Sequence, residues 1–181
     1  MDGLTVWRHP KPCAVEGLCT GQLDVAVDAR KSKRLAHRIR AWARQQNAPR
    51  IVLTSPLARA ADVGRWLARW GWRHEIDARL SELDFGAWQG RPWQAIGQDE
   101  VDRWCRDFGR HRPGGRESTE ALLARCRAFL ADRRDSPGVC VVAHAGWISA
   151  AEWLRMHSAV SPTAEQWPAA LRYGESIRIG A

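Results

Sequence analysis

Two histidines in this chain each follow a short apolar run: His9 after LTVWR (4–8), and His144 after GVCVVA (138–143). Arg8 stands directly before the first, and Arg59 closes TSPLAR (54–59), which follows a third apolar run. Glu82 and Asp84 lie in ELDFGAWQG (82–90), a loop-like segment with aromatic anchors. Taken singly, each residue has a bland reading: a structural histidine, a solvated helix arginine, an exposed loop carboxylate. Together they supply the parts for metal-free phosphoryl transfer: a neutral imidazole to attack, guanidinium forks to balance oxyanions, and a carboxyl group to move protons. No His or carboxylate cluster has zinc or magnesium spacing, so neither metal nor cofactor is expected.

These residues need elements that bring them together. Strands are read at Leu4–Trp7, Arg50–Thr54 and Gly138–Ala143, with shorter ones near Glu75–Ile76 and between Leu171 and Ile179. The run at 138–143 is continuously apolar, as a strand buried on both faces should be. Leu35, Ile39 and Trp42 recur at helical spacing on a basic segment; Ala60, Val63, Leu67 and Trp70 mark a second helix that Gly71 ends. A polar helix is expected over Asp99–Phe108. A helix through Leu122, Cys126, Phe129 and Leu130 is capped at Ser118-Thr119, and a last helix spans Trp147–Met156. Strands alternating with amphipathic helices predict an α/β fold, a three-layer αβα sandwich around a mostly parallel sheet. In such folds ligands gather beyond the carboxyl ends of strands, which places Arg8-His9, Ser55–Arg59 and His144 at one edge.

The 181 residues suit one domain, 1–181, and are too few for two ordinary ones with a linker. With 45% apolar and 27% charged residues, disorder and fibrous structure are excluded. The longest stretch free of Asp, Glu, Lys and Arg, Ser136–Ala151, is too short to cross a bilayer, and the N-terminus lacks a secretory pattern, so a cytoplasmic protein without a membrane partner is expected. Cys13, Cys19, Cys105, Cys126 and Cys140 are odd in number and form no C-x-x-C pair, which predicts reduced thiols. A net charge of +8 and eleven tryptophans raise the question of nucleic acid. No recognisable nucleic-acid motif is present and the arginines are spread through helices, so the expected partner is a small phosphate ester steered by the positive field. The oligomeric state is not legible.

Five segments in order resemble the histidine phosphatase superfamily, the phosphoglycerate mutase-like proteins. LTVWRHP (4–10) resembles its Arg-His signature, TSPLAR (54–59) its helix start, and ELDFGAWQG (82–90) its acidic loop. PGGRES (113–118) resembles its glycine turn and VVAHAG (141–146) its second-histidine strand. The resemblance implies a phosphoglycerate mutase-like fold and a phosphomonoesterase working through phosphohistidine. His9 would be the nucleophile, Arg8, Arg59 and His144 the phosphate-binding groups, and Glu82 the general acid, with Asp84 its competitor.

Within the superfamily the likeness is to the α-ribazole phosphatase branch, on Pro10-Lys11-Pro12, GLCTGQ (17–22) with Asp24, and GRPW (90–93) after LDFGAW (83–88). It implies hydrolysis of α-ribazole 5′-phosphate to α-ribazole and phosphate in assembling the cobalamin nucleotide loop. The alternatives are a generalist phosphatase for sugar phosphates or nucleotides and a non-catalytic protein binding phosphorylated ligands or nucleic acid. Three residues depart from the family pattern: Arg116 in the glycine turn, Trp147 after the second histidine, and Gln89 in the acidic loop. All three are expected at the pocket wall, with Trp88, Trp93 or Trp147 stacking on a benzimidazole ring.

Overall fold

The computed structural model describes residues 3–136, 138–157 and 161–180. Among these residues five strands form one sheet: β1 (Leu4–Arg8), β2 (Ile51–Thr54), β3 (Arg73–Ile76), β4 (Cys140–Ala143) and β5 (Ser176–Ile179), in spatial order β3-β2-β4-β1-β5. β4 lies in the middle, parallel to β1 on one side and β2 on the other; β3 is parallel to β2, and only β5 runs antiparallel. The mostly parallel α/β architecture is as the alternation of elements predicts.

Side chains alternate across the sheet with the period of two that a pleated strand imposes. Leu4, Val6, Leu53, Val141 and Ala143 face one core, built with Leu122, Cys126, Phe129, Trp147 and Ile148. Trp7, Val52, Cys140 and Val142 face the other, built with Leu35, Ile39, Val63 and Leu67. Helices α1 (Ala29–Gln45) and α2 (Ala58–Ala68) therefore cover one face, and α4 (Thr119–Asp132) and α5 (Ala145–Met156) the other. The polar α3 (Gln98–Arg106) packs beside a small cluster of Cys19, Trp88 and Ile96, and its Trp104 also touches the first core. Cys13 and Cys105 are exposed, Cys19, Cys126 and Cys140 buried, and all five are free thiols.

The boundaries differ from expectation where local bonds outweigh periodicity. α2 stops at Ala68, because Trp70 and Gly71 turn back onto Leu67 and Ala68 and Gly71 takes a positive φ of 81°. α5 starts two residues early, with the His144 carbonyl accepting the first helical bond from Ile148 N at 2.9 Å. The last strand is confined to Ser176–Ile179, and Leu171–Glu175 form a turn beside Arg8. Among the described residues no helix is long and apolar enough to cross a membrane.

Candidate active site

Because β1 and β4 are neighbours with Arg8 paired to Ala143, the next residue of each strand is a histidine at the same edge. The His9 amide bonds the Ala143 carbonyl at 3.0 Å, and the two imidazole centres lie 4.8 Å apart. His9 Nδ1–H donates to the Pro10 carbonyl at 2.8 Å. A carbonyl can only accept, so the Nε2 lone pair of His9 is left free. Burial, then the Arg59 guanidinium, push the His9 pKa down to about 3, with Arg8 adding to them and the Pro10 bond opposing. The ring is therefore neutral, with a lone pair able to attack an electrophile.

The second histidine is held differently. Arg59 Nε–H donates to His144 Nδ1 at 3.2 Å, so the neutral ring carries its proton on Nε2, which donates to Ser55 Oγ at 2.7 Å. Burial, then His9 and the guanidiniums of Arg59, Arg125 and Arg8, hold His144 well below the usual imidazole range. Arg59 is 1% exposed at the start of α2, where Asp24 accepts from the Ala58 amide at 2.7 Å. Its terminal nitrogens donate to the carbonyls of Leu23 (2.6 Å) and Gly21 (2.5 Å), which fixes the fork beside both histidines. Burial lowers its pKa, opposed by Glu82 and Asp24. Arg8 Nη1 donates to the Leu171 carbonyl at 2.5 Å, and its guanidinium carbon lies 3.8 Å from the centre of the Tyr173 ring.

Glu82 enters from the acidic loop. Its carboxylate accepts from Leu83 N at 3.0 Å and from Gly146 N, in the first turn of α5, at 3.1 Å. A Cβ at Gly146 would collide with Glu82 Oε1, so glycine there permits the approach. Asp84 points elsewhere: one oxygen accepts from Gly86 N at 2.9 Å, the other from Arg116 Nε at 3.2 Å. Arg116 thus closes the glycine turn onto the loop and does not reach the cavity wall. Gly114, at φ 62°, packs against the Phe85 carbonyl where any Cβ would clash.

Arg8, Glu82 and Gly146 open onto a cavity of about 400 Å³ walled by Phe85, Trp93, Trp104, Phe108, Trp167 and Tyr173. The hydroxyl residues Thr20, Thr119 and Ser149 also line it. His9, Arg59 and His144 are nearly inaccessible and do not line it. Of the three tryptophans expected there, Trp93 is present. Trp88 is buried, with Nε1–H donating to Glu100 Oε2 at 2.7 Å, and Trp147 is buried edge-on against Phe129. Gln89 also misses the wall; it accepts from Gln22 N.

Sequence reasoning missed the groups that hold Glu82. Arg125 donates to the carbonyls of Arg79 (2.7 Å), Ser81 (2.7 Å) and Glu82 (3.0 Å), and its Nε and Nη2 donate to the two Glu117 carboxylate oxygens at 2.7 and 3.0 Å. Glu117 also accepts from Asp84 N, and Gln22 Nε2 donates to the Glu82 carbonyl. Glu117 stands just before the Ser118 cap of α4 and Arg125 lies within the helix, a spacing that carries no helical pattern. Tyr173, Trp104 and Trp167 carried no signal beyond their aromaticity.

Comparison with known proteins places this geometry. Residues 4–170 match the family model described as histidine phosphatase superfamily (branch 1). No curated protein matches the sequence. Among solved structures, the mycobacterial glucosyl-3-phosphoglycerate phosphatase is 27% identical, with a TM-score of 0.73 over 86% of this chain and 80% of that one. A putative α-ribazole-5′-P phosphatase from Escherichia coli is 25% identical, with a TM-score of 0.66 over 81% and 75%. The α-ribazole phosphatase from Shigella flexneri, 24% identical with a TM-score of 0.76 over 96% and 87%, shares the fold. The match over nearly the whole chain and the paired histidines at adjacent strand ends agree: the chain belongs to the histidine phosphatase superfamily, branch 1, and is a phosphoric monoester hydrolase.

Proposed function

We propose that residues 1–181 act as one catalytic domain hydrolysing α-ribazole 5′-phosphate through a phosphohistidine on His9. His9 Nε2 attacks phosphorus in line as the bond to the ribose 5′-oxygen breaks, and Glu82, in its acid form, gives the departing alkoxide its proton. Water then attacks phosphohistidine, Glu82 takes the water's proton, and phosphate leaves with His9 regenerated. Arg8 and Arg59 balance the charge on the non-bridging oxygens, exchanging neutral carbonyl acceptors for charged ones as the phosphoryl group enters, and the neutral His144 turns its Nε2–H from Ser55 to one of the same oxygens. None of these steps draws on a metal.

The aromatic wall beside Arg8 and Glu82 is the observation that favours a benzimidazole nucleoside over a polar sugar. A broader phosphatase for sugar phosphates or nucleotides is the second reading, favoured by the Thr20, Thr119 and Ser149 hydroxyls in the same cavity. A phosphate-ester panel that includes α-ribazole 5′-phosphate, 3-phosphoglycerate, glucosyl-3-phosphoglycerate and simple sugar phosphates separates the two. The expected result is highest kcat/KM on α-ribazole 5′-phosphate, an acid-labile phosphoenzyme on rapid quench, and loss of both in His9→Ala. Equal efficiency on 3-phosphoglycerate or sugar phosphates moves the second reading into first place.

A further inference from the structure

One aromatic side chain joins the cradle to the cavity. Tyr173 lines the aromatic cavity, its ring centre lies 3.8 Å from the Arg8 guanidinium carbon, and it stands 5.5 Å from the centre of the His9 ring. Among the described residues it is the aromatic ring in contact with both. Its place is set by the fold: the Arg8 amide donates to the Glu175 carbonyl at 2.9 Å, and the Gly174 amide donates to the Arg8 carbonyl at 3.0 Å. The turn is thus pinned to the end of β1 on both sides of the tyrosine's neighbour, and the Leu171 carbonyl takes the Arg8 fork from the same turn at 2.5 Å. A guanidinium held over an aromatic face by its carbon keeps N–H groups for oxyanions, while the ring itself remains available to a leaving group in the cavity.

We propose that Tyr173 determines ester selectivity: its ring positions Arg8 for the phosphoryl group and packs against the aromatic part of the leaving group. The ring face does this, and the phenol hydroxyl is dispensable. The proposal rests on the phosphatase reading of the same site and adds the residue through which leaving-group recognition reaches the cradle. Tyr173 is 38% exposed, so replacing it leaves the two cores untouched.

The test compares 2-phenylethyl phosphate with n-butyl phosphate, two primary alkyl esters that differ in the ring and share the leaving-group chemistry. In Tyr173→Leu the ratio of their kcat/KM values should fall about tenfold relative to wild type, chiefly through KM, and inhibition by inorganic phosphate should weaken about fivefold. Tyr173→Phe should keep both within about twofold. An unchanged ratio in Tyr173→Leu, an equal loss on both esters, or a gain on both marks a structural or covering residue and overturns the assignment. So does a loss in Tyr173→Phe as large as in Tyr173→Leu. Hydrolysis of p-nitrophenyl phosphate by wild type and its loss in His9→Ala are measured alongside, so failure of the phosphatase reading itself is seen separately.

Discussion

Two carboxylates two residues apart have been given different surroundings. Glu82 opens onto the cavity with its oxygens held by the Leu83 and Gly146 amides, whereas both Asp84 oxygens are engaged in the turn with Gly86 and Arg116. Glu82→Gln should therefore lower turnover on an alkyl phosphate by about two to four orders of magnitude. Phosphohistidine formation from p-nitrophenyl phosphate, whose leaving group needs no proton, should suffer far less. Asp84→Asn should show no such selectivity, and burst kinetics on the two esters decide the matter. His9 also governs acid stability. Its pKa falls from 6.5 to about 3 on folding, so between those values the unfolded chain binds a proton that the native chain refuses. The stabilisation is complete above pH 6.5 and is lost as pH falls toward 3. His144 shifts in the same direction. Urea titrations at pH 7 and 4.5 should show His9→Gln losing about 2 kcal/mol less than wild type over that interval.

The elements carrying these residues differ in how they are held. His9 and His144 sit at the ends of paired strands, so the sheet ladder places them directly. Glu82 has no such support, since residues 78–97 contain short 3₁₀ turns and no strand. Arg125 on α4 substitutes for a ladder by binding three carbonyls, of Arg79, Ser81 and Glu82, at the start of that loop, with Glu117 neutralising it. The pair is only 18% and 15% exposed, so breaking it leaves a poorly solvated carboxylate. Arg125→Met should cost about 2–4 kcal/mol in stability. Displacing Glu82 should also cut kcat about tenfold to a hundredfold with little change in KM. Denaturant titration and steady-state kinetics on an alkyl phosphate read the two effects. The strands and amphipathic helices were legible because their apolar periodicity is local. The clamp was not, because a hydrogen bond between residues 43 positions apart leaves no pattern along the chain.

At the scale of the whole molecule, charge is the property that composition reports best. The net charge of +8 provides a positive field, and α1 contributes to it without an acidic residue in its length. Such a field raises the encounter rate of phosphorylated substrates and is screened by salt. We expect kcat/KM on an anionic ester to fall about threefold to tenfold between roughly 20 and 300 mM ionic strength, with kcat little changed. Steady-state rates in an inert salt such as potassium acetate provide the check.

By itself the sequence determined the order of strands and helices, the αβα layering, and the histidine, arginine and carboxylate set, because each is carried by local periodicity or by a contiguous motif. The tertiary structure decided which side chains become walls and which become core. Trp147 and Trp88 carry the same ring as Trp93, yet the first packs against Phe129, the second bonds Glu100, and only the third of these reaches the cavity. It also decided the tautomers, since the Pro10 carbonyl frees Nε2 of His9 while Arg59 takes Nδ1 of His144. Residue type states what a side chain can do; direction, burial and the partner already in place state what it does, and these arise only when segments distant along the chain are packed together.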